Sequence, residues 1–302
     1  MPVLIAPEAA LQAVSETAPE GAPGAASEQD RSRSIGGRRL LTRLGRANRY
    51  DTWLAWDDGR LTPVVIKVLR QHLLDSSRDR MAVYGEAEAL GRLDHPVLVR
   101  SFGSQLDADP PHIVLEFLDG PRLSTLLRTS GPLAAEQIVP LGLQLTAALH
   151  YMSGEGWVHL DVKPRNIIMT TSPRLIDLSV ARTTDAARSI RGFVGTDAYM
   201  APEQSDPDRF GEIGPAADVW GLSVTLYEAI TGVQAFPGVD GERFPQLRPG
   251  RPSFPPKVPP AMAAAIRAGL EDSPEARPTA RQLHDVFDAL ADWATRSLRR
   301  IR

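Results

Sequence analysis

The sequence predicts an α+β protein of two lobes. Short β-branched runs separated by turn residues dominate its first part, one helical segment interrupts them, and long stretches of helical spacing fill the remainder. The strand-like segments are 39–44 and 52–57, which flank a turn, 63–69 (PVVIKVL) and 112–118 (HIVLEFL), which Asp119-Gly120-Pro121 ends. The interrupting helix is expected over 78–93, with Met81, Ala82, Ala89 and Leu93 available for its apolar face. Further on, 134–153 and 279–298 read as amphipathic helices. Segment 218–231 (DVWGLSVTLYEAIT) is apolar nearly all round and therefore reads as a buried helix.

A chain of 302 residues has room for a sizeable core, and its 42% hydrophobic and 24% charged content suits a soluble globular protein. The formal net charge of −3 argues against nucleic acid as a partner. With no cysteine, disulfides and thiolate metal sites are excluded. No apolar run is long enough to span a bilayer, and the start MPVLIAPEAA lacks the basic residues and apolar length of a signal peptide. A cytoplasmic protein without a membrane anchor is the expectation. Residues 1–33, rich in Ala, Pro, Glu, Ser and Gly, are expected to be a disordered tail; 34–298 form the folded part, with a first lobe over 34–118 and a second over 119–298.

Of 34 basic residues only Lys67, Lys163 and Lys257 are lysine. Lys163 lies in VHLDVKPRN, two residues after Asp161 and three before Asn166. An aspartate can accept the proton of a hydroxyl nucleophile. A lysine is a compact mobile charge for phosphate, and an asparagine carbonyl is a hard oxygen suited to Mg²⁺. Pro164 disfavours helix at the residue before it, so the trio is expected on a loop. The apolar IIM that follows and the LIDLS beyond it would be two short strands, able to bring Asp177 beside Asn166. Lys67 sits at the centre of a predicted strand and needs a partner if buried; Glu86 and Glu88 on the next helix are the candidates.

In this order and spacing the residues resemble the protein kinase family, specifically bacterial serine/threonine kinases of the eukaryotic type, over about residues 39–290. The resemblance implies a bilobal protein kinase-like fold, with a small antiparallel sheet and one main helix in the first lobe and a mainly helical second lobe. It implies Mg²⁺-ATP as phosphoryl donor, with Mn²⁺ as the alternative ion, and proteins bearing serine or threonine hydroxyls as substrates. Lys67 in VVIK would hold the α/β-phosphates, paired by Glu86. Asp161 would be the catalytic base and Lys163 would sit near the γ-phosphate. Asn166 and Asp177 would be metal ligands. Leu44, Gly45, Val65, Glu116, Leu118 and Ile168 would complete the ATP-binding set, with Leu115 as gatekeeper and Glu116 and Leu118 offering backbone groups to adenine. GTDAYMAPE resembles the end of the activation segment, placing Thr196 beside the peptide substrate and pairing Glu203 with Arg277, while Asp218 takes a structural role.

Four departures stand out. Where the family has a glycine-rich loop, this chain has GRANRYDT at 45–52; Gly45 remains, but Ala47 and Tyr50 replace the next two glycines and Thr52 an apolar residue. A tyrosine there must take another conformation or carry about 1–3 kcal/mol of strain. Arg46 and Arg49 either face phosphate or belong to a solvated turn. Leu160 replaces the arginine of His-Arg-Asp, so activation-loop phosphorylation cannot act through that ion pair. Asp177-Leu178-Ser179 stands for Asp-Phe-Gly, and Val65 for the usual alanine. Because every charged catalytic group is present, an active kinase independent of activation-loop phosphorylation is the expectation. The alternatives are a pseudokinase acting as a binding or scaffold module, which the altered glycine loop favours, and a small-molecule phosphotransferase, which GTDAYMAPE disfavours.

Overall fold

The computed structural model describes residues 34–47, 49–238, 243–248 and 250–301, with the backbone alone for 297–301. The expected disordered tail at 1–33 lies outside the described residues. The described residues form two compact units, one from Ser34 to Asp94 together with Val99–Pro121, the other comprising His95–Leu98 and those from Arg122 onward. The class is α+β, with an antiparallel sheet in the first unit and a mainly helical second unit.

In the first unit, strands β1 (Ser34–Ile35), β2 (Arg38–Arg46), β3 (Tyr50–Asp57), β4 (Thr62–Leu69), β5 (Ser101–Gln105) and β6 (His112–Glu116) form one sheet in the order β1-β2-β3-β4-β6-β5. Alternation buries Leu40, Trp53, Ala55, Val64, Ile66, Val68 and Val114 as one cluster. The strand expected over 112–118 stops at Glu116. Its ladder to β4 ends at Val64, and the next β4 residue, Pro63, has no amide to continue it.

Helix α1 (Ser77–Arg92) starts at Ser76, whose hydroxyl accepts the Asp79 amide and supplies the cap that the first turn lacks. Its buried residues are Val83, Glu86, Ala89 and Leu90, at helical spacing. Met81, expected on that face, is 68% exposed. It is two positions from Val83, a rotation of about 200°, which puts it on the opposite side. A charged residue had taken the apolar face: Glu86 is 1% exposed.

The second unit contains α2 (Leu123–Ser130), α3 (Ala135–Gly154), β7 (Trp157–Val158), β8 (Ile167–Met169), β9 (Pro173–Leu175), β10 (Arg182–Thr183), α4 (Thr184–Arg188), α5 (Pro202–Ser205), α6 (Pro207–Phe210), α7 (Pro215–Thr231), α8 (Pro260–Ala268) and α9 (Ala280–Ile301). Its core helix is α7. Thirteen of its residues are buried, including Trp220, and Gly232 at φ +78° ends it with a left-handed cap. Strands β8 and β9 form a hairpin, and β10 pairs with β7. Both short sheets flank the segment carrying Asp161. No helix among the described residues is long and apolar enough to cross a membrane.

Candidate active site

In the first unit, β4 pairs with β3 on one side and β6 on the other, which places Lys67 opposite Thr52 and Ile113 in the middle of the sheet. The Lys67 ammonium meets Glu86 Oε1 at 2.5 Å, and both residues are buried. Of the two acids the sequence offered, α1 turns Glu86 inward and leaves Glu88 exposed. Such a pair is held only because each charge compensates the other's lost hydration.

In place of a glycine loop, the described residues of the hairpin at 45–52 are paired strand. Gly45 is inside β2 opposite Thr52, at a register irregularity, and the Ala47 amide donates to Tyr50 O across the turn. Tyr50 opens β3 in extended conformation and is buried, with its ring centroid 4.6 Å from Lys67 Nζ. The arginines are taken by acids: Arg46 pairs with Asp51 at 3.1 Å and Arg49 with Asp79 at 3.2 Å. Leu115 is buried at the end of β6, whereas Leu44, Val65, Glu116 and Leu118 are half-buried. The Glu116 amide donates to Arg100 O, and its carboxylate accepts the Arg100 amide at 2.6 Å.

In the second unit, Asp161, Lys163, Asn166 and Thr196 meet. Asp161 Oδ2 accepts Lys163 Nζ at 2.7 Å and Asn166 Nδ2 at 2.9 Å, while Oδ1 accepts the Thr196 hydroxyl at 2.8 Å. Lys163 also donates to Thr196 Oγ1 at 2.5 Å. Pro164–Asn166 form one 3-10 turn, so the expected loop is locally helical there. The β8-β9 hairpin brings the Ile176 amide onto Asn166 O at 2.8 Å and sets Asp177 next to that position. Ile168 is half-buried in β8.

The loop is strained and heavily fastened. Leu160 has φ +64° and Asp177 φ +71°, in the left-handed region that costs a non-glycine residue about 1–3 kcal/mol. Asp218, in the first turn of α7, takes the His159 and Leu160 amides on its two carboxylate oxygens, each at 2.7 Å. Burial pushes the Asp218 carboxyl up, with His159 and the two amides opposing. Leu160 itself is buried and fills the arginine position with an apolar side chain.

Gln204 was missed by sequence reasoning. Its Nε2 donates to Leu160 O at 3.0 Å and Val194 O at 2.8 Å, and its Oε1 accepts the Ala201 amide. It thus ties the Asp161 loop to the segment bearing Thr196. The only local sign was its place three residues after Ala201, where a glutamine can cap a short helix. Gly195 makes the same junction possible. At φ +121°, a Cβ there would lie 2.7 Å from Leu160 O. Arg122 was also missed; it donates to Arg165 O at 2.6 Å, and burial lowers its pKa, as does Arg165, while Asp177 opposes. Glu203 and Arg277 form a fully buried two-armed pair at 2.7 and 2.8 Å.

The residues suit a hard divalent metal ion. Both groups facing Asn166 Nδ2 are acceptors, Asp161 O and Oδ2, which fixes the amide orientation and makes Oδ1 the oxygen that could face an ion. Among the described residues no cluster of three or more His, Cys, Asp or Glu could hold a metal. A site of one amide and one carboxylate matches an ion that takes few protein ligands and relies on substrate phosphates.

A protein kinase domain model matches residues 42–286. The chain belongs to the protein kinase domain family. Three similar curated proteins come from bacteria. The probable serine/threonine-protein kinase PkwA of Thermomonospora curvata is 34% identical over 205 residues, 67% of this chain and 27% of that protein. The serine/threonine-protein kinase PkaA of Streptomyces coelicolor is 35% identical over 184 residues, 58% of this chain and 33% of that protein. The serine/threonine-protein kinase PknB of Mycobacterium leprae is 30% identical over 204 residues, 65% of this chain and 32% of that protein. This kinase domain chain therefore aligns with about a third or less of the length of these relatives.

Proposed function

We propose that this kinase domain transfers the γ-phosphoryl group of Mg²⁺-ATP to serine or threonine hydroxyls of protein substrates, in the cytoplasm where ATP is held, without needing a phosphorylated activation loop. The observation that carries this reading is the Thr196 hydroxyl donating to Asp161 Oδ1 while Lys163 donates to its oxygen. A substrate hydroxyl arriving in the same way would find its proton acceptor and a cation together. Its oxygen would attack the γ-phosphorus as the bond to the β-γ bridging oxygen breaks, Asp161 would take its proton, and ADP would leave. Lys67, fixed by Glu86, would hold the α/β-phosphates. Asn166 and Asp177 would hold Mg²⁺, or Mn²⁺ in its place, which neutralises charge on the phosphates when bound.

Independence from activation-loop phosphorylation is supported by what fastens the segment. Gln204 and the β7-β10 pairing hold it beside ion pairs to its own acids, Arg243 with Asp197 and Arg277 with Glu203, and Leu160 offers no cation for a phosphate. Protein acceptors, as against small metabolites, are supported by the serine/threonine-protein kinase relatives. One observation favours the second reading, a pseudokinase acting as a binding or scaffold module: the Tyr50 ring already engages Lys67.

Transfer of label from ATP with Mg²⁺ to a generic protein acceptor tests these readings, beside Asp161→Asn. Label with the wild type, lower by about 10²–10⁴-fold in the mutant, is expected. Binding of ATP with no label in either protein would favour the pseudokinase, and label entering only small hydroxylated metabolites would favour the small-molecule phosphotransferase.

A further inference from the structure

Tyr50 stands where the family keeps its third glycine, and its ring lies against the lysine that the nucleotide needs. Side-chain alternation along β3 puts Tyr50, Thr52 and Leu54 on one face, opposite Leu69, Lys67 and Val65 of β4. Tyr50 therefore shares the Lys67 face, one pair along. Its ring centroid is 4.6 Å from Lys67 Nζ, within the range where the negative ring face attracts a cation. Glu86 Oε1 takes the same ammonium at 2.5 Å. The lysine is thus claimed by a carboxylate and by a ring before any nucleotide arrives, and only 9% of it is exposed.

We propose that Tyr50 gates nucleotide binding: its ring occupies the side of the Lys67 ammonium that the α/β-phosphates of a nucleoside triphosphate need, and must move away for them to bind. This rests on the reading of Lys67 as the phosphate-holding lysine. A phosphate oxygen has to come within about 2.7–2.9 Å of Nζ to form a charge-assisted hydrogen bond, and an aromatic face on the ammonium blocks that approach. A glycine at this position would leave it open. The tyrosine brings no compensating backbone problem, because the residue is extended and aromatic residues suit strands. Affinity for the triphosphate is therefore lowered by the ring contact that has to be given up, while the Lys67–Glu86 pair is kept in place until the nucleotide displaces the ring.

The composition supplies the probe. With only three lysines, the full chain labelled with ¹³C-lysine has three sets of ε-methylene signals, and Lys67→Arg identifies that of Lys67. In the wild type the Lys67 ε-protons are expected upfield of the other two, displaced by the Tyr50 ring. Saturating Mg²⁺-ATP should remove the displacement. Tyr50→Val, which suits a strand and is the safer fold, and Tyr50→Gly should lack it from the outset. Both should bind Mg²⁺-ATP roughly tenfold more tightly by calorimetry, the scale of a buried cation–ring contact. Tyr50→Phe should restore both the displacement and the weaker binding. The gate is overturned if Tyr50→Val binds no more tightly than the wild type, if the displacement persists in the nucleotide complex, or if the free wild type lacks it. Failure of the underlying reading looks different: the displacement is present, yet neither the wild type nor Tyr50→Val binds Mg²⁺-ATP at all, which sinks the gate with it.

Discussion

The hairpin at 45–52 and the loop at 159–166 have parted from the family pattern in opposite ways. The hairpin carries Ala47 and Tyr50 in place of two glycines and is built from paired strand. Gly45 sits in β2 at a register irregularity and Tyr50 in β3, an Ala47–Tyr50 backbone bond joins the two sides, and its arginines pair with nearby acids. The loop kept its acid, lysine and asparagine, and it is strained, with Leu160 and, just downstream, Asp177 in left-handed backbone. Asp218 and Gln204, from far along the chain, hold that conformation. The difference shows where this fold tolerates change. A hairpin satisfied by its own ladder accepts new side chains, whereas a loop whose conformation is imposed by distant partners can change only where those partners do not grip it. At Leu160 both hydrogen-bonded holds are through its backbone, and its buried side chain answers to packing alone.

The sharpest way to break the contrast is a pair of glycine substitutions. Gly195→Ala puts a Cβ 2.7 Å from Leu160 O at a φ of +121°. It should cost about 1–3 kcal/mol from the backbone alone and, by displacing the Asp161 loop, lower phosphoryl transfer on the order of 100-fold. Denaturant unfolding and label transfer read both, and a fully active, stable variant would remove the idea that the loop is imposed by its surroundings. Next in size, Gln204→Ala leaves the Leu160 and Val194 carbonyls without their donor, at a cost of about 1–3 kcal/mol. Transfer should fall with ATP affinity retained; a loss confined to ATP affinity would mean that Gln204 does not position the loop.

Glu228 makes the fastening of the Thr196 segment pH-dependent. The Tyr199 hydroxyl, in the same segment as Thr196, donates to Glu228 Oε2 at 2.5 Å. Burial pushes the Glu228 carboxyl up from its ordinary 4.5, with the Tyr199 bond opposing in part. A raised carboxyl binds its proton better folded than unfolded. Its stabilisation is therefore complete below pH 4.5 and is lost as pH rises through the folded value. Glu228→Gln should flatten the decline of unfolding free energy above that pH; an unchanged slope would assign the decline to other groups.

The hairpin member of the glycine pair is milder. Gly45→Ala should change unfolding free energy by no more than about 1 kcal/mol, since Gly45 is paired opposite Thr52 in β2 and the glycine-to-alanine difference in a strand is about that size. A loss as large as that of Gly195→Ala would erase the contrast. Smallest of all, replacing Thr183, Thr184 and Ser189 together by alanine should leave the transfer rate close to wild type. A loss of about tenfold or more would restore a phosphorylation switch to this segment.

Much of this was legible in the chain. The β-branched run PVVIKVL became β4, the apolar DVWGLSVTLYEAIT lies in the core helix, and the odd distribution of lysine drew attention to Lys67 and Lys163. Periodicity failed at Met81, because an apolar count cannot know that the helix will turn a glutamate inward to meet a lysine on another strand. The end of β6 was missed for a related reason, as it depends on which residue of the neighbouring strand is proline.

By itself, the sequence determined which side chains are available and in what order: an acid, a lysine and an asparagine within six residues, a second lysine in a strand, and a tyrosine in place of a glycine. Only the tertiary structure decided their states. Glu86 and not Glu88 meets Lys67, Asp218 and Gln204 hold Leu160 from 58 and 44 residues away, and the Tyr50 ring rests on the lysine. Local propensity acts over a few neighbours, whereas these states are set by buried charges and orphaned backbone groups, which take whatever partner the fold brings within reach.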